Sequence, residues 1–212
     1  MAYCKLRREV AYYMKRLCKE ALTTSSGGNI SLRHGEKVFI TPSSTDKSIM
    51  DEDDVIAVDL EGRVLESPKG LKPSIECAFH LMIYKSRKDV SAVVHAHPVY
   101  ATSIAASTAE IENTLIAESY AILGKIAYVP FSIMGSPELA GDIGRAVIGS
   151  DCVVMRNHGI LALGKNLFQA FDRMEVAENA AKITIICKEF LKGKSVHLPE
   201  KELKGIDRLM GR

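Results

Sequence analysis

A series of short β-type runs joined by turns of a few residues limits the folds that this chain can adopt. The paired runs are residues 55–58 with 63–65, around Glu61-Gly62, and residues 152–155 with 160–163, around Asn157-His158-Gly159. Parallel strands need a crossover of about a dozen residues or more, so turns this short join antiparallel neighbours. We therefore predict a sheet in which most strand pairs are antiparallel.

Helical patterns alternate with these runs. Residues 5–22 place apolar side chains three and four positions apart, as in an amphipathic helix. A second helix is predicted from near Ser74, and a long one follows Asn166, which forms a variant capping box with Gln169. Because no segment resembles a linker, the sequence predicts a single domain over residues 1–212, an α/β fold with a mixed sheet covered by helices.

Composition argues against several classes of partner. Lys and Arg total 28 against 26 for Asp and Glu, and a net charge of +2 gives no field that attracts nucleic acid or an anionic membrane. The N-terminal segment mixes charges into every turn, unlike a signal peptide or a membrane-spanning run. Five scattered cysteines indicate reduced thiols. We therefore predict a cytoplasmic protein that binds neither nucleic acid nor membranes.

Three histidines are candidate metal ligands. His95 and His97 alternate within a strand-like run, so both side chains lie on the same face of the strand. His158 lies in a turn between two strands, which places its ring at an end of the sheet. Zinc held by three protein ligands with one open position is the catalytic arrangement. The alternative is a set of half-buried histidines that are hydrogen-bonded to nearby carbonyl groups.

A carboxylate and two polar segments are further candidates. Glu76 lies at the start of the second helix, where the simpler interpretation is a glutamate that complements the helix dipole. Residues 23–29 and 41–45 are rich in Ser, Thr and Gly, and such segments bind phosphate through backbone amides and hydroxyl groups. Ordinary polar loops are the alternative, because neither segment matches the Walker or Rossmann pattern.

Five motifs occur together along the chain. They are Gly28-Asn29-Ile30-Ser31, Ile40-Thr41-Pro42-Ser43, Lys72-Pro73-Ser74-Ile75-Glu76, Val93-Val94-His95-Ala96-His97 and Asn157-His158-Gly159. In these motifs the chain resembles the class II aldolase and adducin family, most closely its L-fuculose-1-phosphate aldolase branch. The resemblance implies a three-layer α/β/α sandwich around a mixed, largely antiparallel sheet. It also implies a homotetramer with active sites between subunits.

The resemblance further implies a function and a set of site residues. The implied activity is that of a zinc-dependent aldolase, which cleaves a ketose 1-phosphate such as L-fuculose 1-phosphate to dihydroxyacetone phosphate and a small aldehyde such as lactaldehyde. The implied acid/base residue is Glu76, and the implied zinc ligands are His95, His97 and His158. The implied phosphate-binding residues are Ser26, Gly28, Asn29, Ser43, Ser44 and Ser74. In such a site zinc stabilises the negative charge that develops as the bond breaks.

Several positions depart from the family's pattern. Ile75 stands in place of a serine and Ser44 in place of a glycine, which alters the expected phosphate pocket. Ile116 stands where the family's mid-chain tyrosine is expected. Tyr120 is close to it in sequence and is therefore a candidate for the proton donor on the aldehyde side.

Three alternative functions belong to the same family. One is an L-ribulose-5-phosphate 4-epimerase, against which Glu76 argues, because the epimerases resemble one another in having aspartate there. Another is a methylthioribulose-1-phosphate dehydratase, whose pattern after the histidine pair does not match the segment after His97. The non-enzymatic alternative is an adducin-like interaction module, which has lost the metal ligands that are present here.

Overall fold

The computed structural model describes residues 3–212 as helices alternating with strands. The strands are β1 (Asn29–His34), β2 (Lys37–Ile40), β3 (Ile56–Asp59), β4 (Val64–Glu66), β5 (Ala92–Ala96), β6 (Ile126–Val129), β7 (Cys152–Met155) and β8 (Gly159–Gly164). The α-helices are α1 (Cys4–Lys19), α2 (Cys77–Ser86), α3 (Val99–Ala105), α4 (Ala117–Leu123), α5 (Pro137–Ala146), α6 (Leu167–Ile185) and α7 (Glu200–Met210). The predicted alternation is confirmed.

All these strands join one sheet in the order β4-β3-β2-β1-β5-β8-β7-β6. Neighbouring strands are antiparallel, except for β6 and β7, which are parallel and are joined through the crossover helix α5. Both predicted short turns join antiparallel strands, since β3 pairs with β4 and β7 pairs with β8. The prediction of a mixed, largely antiparallel sheet is confirmed.

Helices cover both faces of this sheet. On β5, Val94 is buried in the cluster that contains residues of α1, α3 and α6. Its neighbour Val93 is buried in the other cluster, with residues of α2 and α5. Because successive strand residues point to opposite faces, a strand that is apolar throughout needs a helical layer on each side. The structure is therefore the expected α/β/α sandwich.

The described helices also bear on the membrane prediction. Among residues 3–212, none of the helices combines the length and the apolar character that crossing a bilayer requires.

Two helix boundaries and one additional helix differ from the predictions. α2 begins at Cys77 rather than near Ser74, because the backbone N–H of Ser74 donates to the carbonyl of Thr41 and holds this segment beside the loop after β2. α1 ends at Lys19, and Ala21 then adopts a left-handed φ of 55°. A further helix, α7, was not predicted from the sequence, and it packs against α4.

Candidate active site

Three histidine side chains meet at one end of the sheet. His95 lies in β5, His97 follows that strand, and His158 lies in the turn between β7 and β8. One ring nitrogen from each histidine lies within 4.8 Å of those from the other two. The ring centroids of His95 and His97 are 4.7 Å apart, and those of His95 and His158 are 4.9 Å apart. The structure therefore brings the three candidate ligands together.

The histidine rings have nitrogens free to bind a ligand. His95 Nδ1 donates to the carbonyl of Ile160 at 3.0 Å, which leaves Nε2 with its lone pair uncommitted. His95 Nε2 and both ring nitrogens of His158 are buried with no hydrogen-bond partner among residues 3–212. Burial, together with repulsion from His95 and His158, lowers the pKa of His97 to about 3. Neutral imidazole is the form that binds a metal ion.

The carboxylate of Glu76 lies against this cluster. Glu76 is the N-cap residue of α2, yet within the described chain its side chain makes no capping hydrogen bond. Its Oε2 lies 3.3 Å from His95 Nε2, and its Oε1 lies 3.1 Å from His158 Nε2. Both pairs of atoms are close but poorly aligned for hydrogen bonds. A role limited to complementing the helix dipole does not account for these contacts.

Electrostatics at Glu76 favour the ionised carboxylate. Burial by itself would raise the pKa of this carboxyl group. Electrostatic interaction with His95 and the close approach of His158 outweigh burial and hold the pKa of Glu76 well below its usual value. The side chain is therefore ionised, the form that can accept a proton but has none to donate.

Buried polar side chains support Glu76 from behind. Asn29 Nδ2 donates to Glu76 Oε2 at 2.8 Å, and Asn29 Oδ1 lies 2.5 Å from His80 Nε2. Asn29 and Ser31 alternate on β1, while Glu76 and His80 are about one helical turn apart, so each pair shares a face. The side chain of Asn29, a predicted phosphate-binding residue, is thereby committed to Glu76 and His80.

Backbone hydrogen bonds join the three segments predicted to bind phosphate. The N–H of Lys47 donates to the carbonyl of Ser25, which connects the segment before β1 to the segment after β2. The N–H of Ser43 donates to the carbonyl of residue 72, and the N–H of Ser74 donates to the carbonyl of residue 41. These two bonds connect the segment after β2 to the segment before α2. The segments that carry the candidate phosphate-binding residues are therefore adjacent. These residues are Ser26, Gly28, Asn29, Ser43, Ser44 and Ser74.

Two residues of these segments have left-handed backbones. Gly28 has a φ of 61°, and a Cβ at this position would lie 2.7 Å from the carbonyl oxygen of His95. Glycine is therefore required where the first segment meets β5. Ser44 has a φ of 54°, a left-handed conformation that strains a residue other than glycine.

Lys47 is a buried residue of this region that no sequence pattern predicted. Lys47 is only 3% exposed, and its Nζ donates to the carbonyls of Ser26 at 2.9 Å, Gly27 at 3.4 Å and Gly28. Three acceptors satisfy the three donors of an ammonium group, which fixes a positive charge behind the glycine segment. The sequence carries no signal for this, because lysines in polar loops are normally solvent-exposed.

The residues of this site lie in a region whose sequence matches a known family. The sequence pattern of the family Class II Aldolase and Adducin N-terminal domain matches residues 8–185. The chain belongs to this family. The matched region of this class II aldolase family member contains all five motifs and every residue of the candidate site described above.

Several relatives of this family member are named as aldolases. It is 35% identical over 172 residues to the L-fuculose phosphate aldolase of Methanocaldococcus jannaschii, covering 81% of this chain and 91% of that protein. It is 33% identical over 207 residues to the 5-deoxy-D-ribulose 1-phosphate aldolase of Bacillus thuringiensis, covering 95% of this chain and 93% of that protein. A solved L-fuculose 1-phosphate aldolase shares 33% identity, with a TM-score of 0.87 over 98% of this chain and 97% of that chain. The protein is therefore a class II aldolase of the fuculose-phosphate aldolase type, an enzyme of the lyase class.

Tyr120, the candidate proton donor, lies away from the histidines of its own chain. Its hydroxyl donates to Asp207 of α7 at 3.0 Å. Tyr120 lies in α4, just before β6 begins, whereas His158 follows the end of β7, the parallel neighbour of β6. Within one chain, the structure does not bring Tyr120 to the candidate site.

Proposed function

We propose that this class II aldolase holds a zinc ion on His95, His97 and His158 and cleaves a ketose 1-phosphate such as L-fuculose 1-phosphate. The products would be dihydroxyacetone phosphate and a small aldehyde such as lactaldehyde. The observation that carries this proposal is the convergence of three imidazoles with the carboxylate of Glu76 against them. We extend the proposal to a cytoplasmic homotetramer, by analogy with the family.

The three-histidine donor set suits zinc. Imidazole nitrogen binds zinc at about 2.0–2.1 Å, and three protein ligands leave a position for substrate. The buried nitrogens of His95 and His158 that lack a partner within residues 3–212 are the atoms that such an ion would satisfy. When bound, zinc supplies Lewis-acid polarisation of substrate oxygens and offsets the negative charge left by bond cleavage.

The protein's own residues divide the remaining tasks. Glu76 moves the proton on the donor-half carbon at the broken bond, as its position against the histidines supports. Ser26 and Ser44 are exposed, so their hydroxyl groups are open to a phosphate. Ser74 is buried, and its Oγ accepts from the backbone N–H of Glu76 at 3.2 Å, which couples the phosphate segments to the base.

The proposal is tested by the enzyme's preference among aldehyde substrates. The relatives named for L-fuculose phosphate and for 5-deoxy-D-ribulose 1-phosphate would share the dihydroxyacetone phosphate half and differ in the aldehyde, lactaldehyde or acetaldehyde. Identities of 35% and 33% are too similar to choose between them. We expect the zinc-loaded enzyme to condense dihydroxyacetone phosphate with lactaldehyde at about a tenfold higher kcat/KM than with acetaldehyde, a discrimination typical of one small substituent.

The measurement is an aldehyde panel with each product identified by its stereochemistry. A higher kcat/KM with acetaldehyde would replace the fuculose-type substrate by the deoxyribulose-type substrate. Condensation with none of the aldehydes would reject the aldolase proposal.

A further prediction concerns Lys47. Lys47→Met removes the ammonium group that holds three carbonyls of residues 26–28, and leaving the buried carbonyl of Gly28 without its donor costs about 1–3 kcal/mol. We expect the preference for dihydroxyacetone phosphate over unphosphorylated dihydroxyacetone, measured as a kcat/KM ratio, to fall about tenfold, the equivalent of about 1.4 kcal/mol. Lys5→Met, at an exposed position of α1, is the matched control. An unchanged ratio would show that Lys47 does not contribute to the preference for the phosphorylated substrate.

A further inference from the structure

A buried chain of hydrogen bonds leads to Glu76 from the interface between α2 and β1. Tyr84 Oη lies 2.7 Å from Ser31 Oγ, which lies 2.7 Å from His80 Nδ1. His80 Nε2 lies 2.5 Å from Asn29 Oδ1, and Asn29 Nδ2 donates to Glu76 at 2.8 Å. Ser31, His80 and Tyr84 are 0% exposed, so water does not compete for these bonds.

The direction of each bond follows from the carboxylate end. An ionised Glu76 only accepts, so Asn29 turns its NH₂ group towards Glu76 and its carbonyl oxygen towards His80. That carbonyl oxygen also only accepts, so His80 Nε2 carries the proton and Nδ1 accepts from the hydroxyl of Ser31. A single tautomer of His80 therefore satisfies the whole chain.

We infer that His80 is a positioning residue of this enzyme, which holds Glu76 in place by fixing the orientation of the Asn29 amide. A rotation of that amide by half a turn would set its carbonyl oxygen against the carboxylate, an acceptor against an acceptor. The N–H of His80 opposes this rotation. The inference rests on the proposed function, because it gives His80 control over the proposed base.

A purely structural His80 would behave differently. Its loss would lower the free energy of unfolding without affecting the rate at which a folded molecule moves a proton. A positioning His80 requires a donor at the site of Nε2, and a replacement that supplies one should restore the rate. Supporting groups of this kind change activity by about 10–100-fold.

The test compares two replacements of nearly equal size. His80→Gln keeps an N–H donor near the position of Nε2, whereas His80→Met has no donor. The readout is exchange of a carbon-bound proton of dihydroxyacetone phosphate in heavy water, without aldehyde, with zinc content and Tm measured for each protein. We expect kcat for exchange to fall about 10–100-fold in His80→Met, to recover at least about tenfold in His80→Gln, and KM to change little in both.

Tyr128→Phe is the control, because it removes a hydroxyl that accepts a hydrogen bond from the backbone N–H of Ile111, outside the chain that leads to Glu76. It should lower Tm, as loss of a hydrogen bond worth about 1 kcal/mol does, and leave the exchange rate within about threefold of the wild type. If His80→Met does not fold, His80→Asn replaces it, since the shorter amide does not reach Asn29.

Two results would overturn the inference. One is a wild-type exchange rate in the donor-less variant, and the other is an equal loss in the donor-less variant and His80→Gln. Absence of exchange by the wild-type enzyme would instead reject the proposed function, so the two failures are distinguishable.

Discussion

Glu76→Gln should stop proton transfer while leaving the zinc site loaded. The amide keeps the size of the side chain but removes the charge that lies 3.1 Å from His158 and 3.3 Å from His95. Loss of a general acid/base typically costs about 10²–10⁴-fold in rate. We expect kcat/KM to fall by that factor, and we expect the variant in heavy water to leave the carbon-bound proton of dihydroxyacetone phosphate unexchanged.

The control for Glu76 is a glutamate whose place in a helix is comparable. Glu138 lies in the first turn of α5, where it faces a comparable helix dipole, and it is not among the residues of the candidate site. Glu138→Gln should cost at most about 1 kcal/mol of stability and leave the exchange rate unchanged. Zinc content, measured by metal analysis, should stay at one per chain in both variants. Normal exchange by Glu76→Gln would place the base elsewhere.

His95→Ala should release the zinc ion and abolish turnover. His95 is 0% exposed, and one of its nitrogens is among the three that converge. Removing it leaves two imidazoles for the ion and also deprives the carbonyl of Ile160 of its donor, at a cost of about 1–3 kcal/mol. We expect zinc to fall well below one per chain after dialysis, and we expect the shift of Tm on adding zinc to disappear.

Two further variants separate loss of the metal from damage to the core. His158→Ala changes a turn residue rather than the central strand, and it should lose zinc with a smaller loss of Tm. His34→Ala, at the exposed end of β1, should keep zinc and activity. A His95→Ala protein that retains stoichiometric zinc and turns over would show that the ligand assignment is wrong.

Local patterns were sufficient for much of the fold. The hairpins β3-β4 and β7-β8 form within a few residues, so alternation and turn residues predict them. The parallel pairing of β6 with β7 was not predicted, because it depends on how the crossover through α5 packs against α2. The helix α7 was also missed, because its contacts are made with α4, far away in sequence.

The candidate ligands were predictable for a similar reason. His95 and His97 project together because a strand alternates its side chains, and the turn at His158 is a local feature. Glu76 was ambiguous, because a glutamate at a helix start has a sufficient local explanation. The hydrogen-bonded side chains behind Glu76 alternate along β1, at Asn29 and Ser31, and lie four residues apart along α2, at Glu76, His80 and Tyr84. These two spacings become informative only when α2 is known to cover β1.

Local sequence patterns specify which side chains are available for chemistry, which strands form hairpins and which histidines share a face, since these follow from the periodicity of the backbone. The tertiary structure decided that Glu76 turns to the histidines, that Lys47 is buried under the glycine segment and that Tyr120 lies away from the site. Each of these outcomes depends on contacts between residues about 20 to 90 positions apart. Such contacts form only when a helix packs on a sheet or one loop closes over another, and no local pattern encodes them.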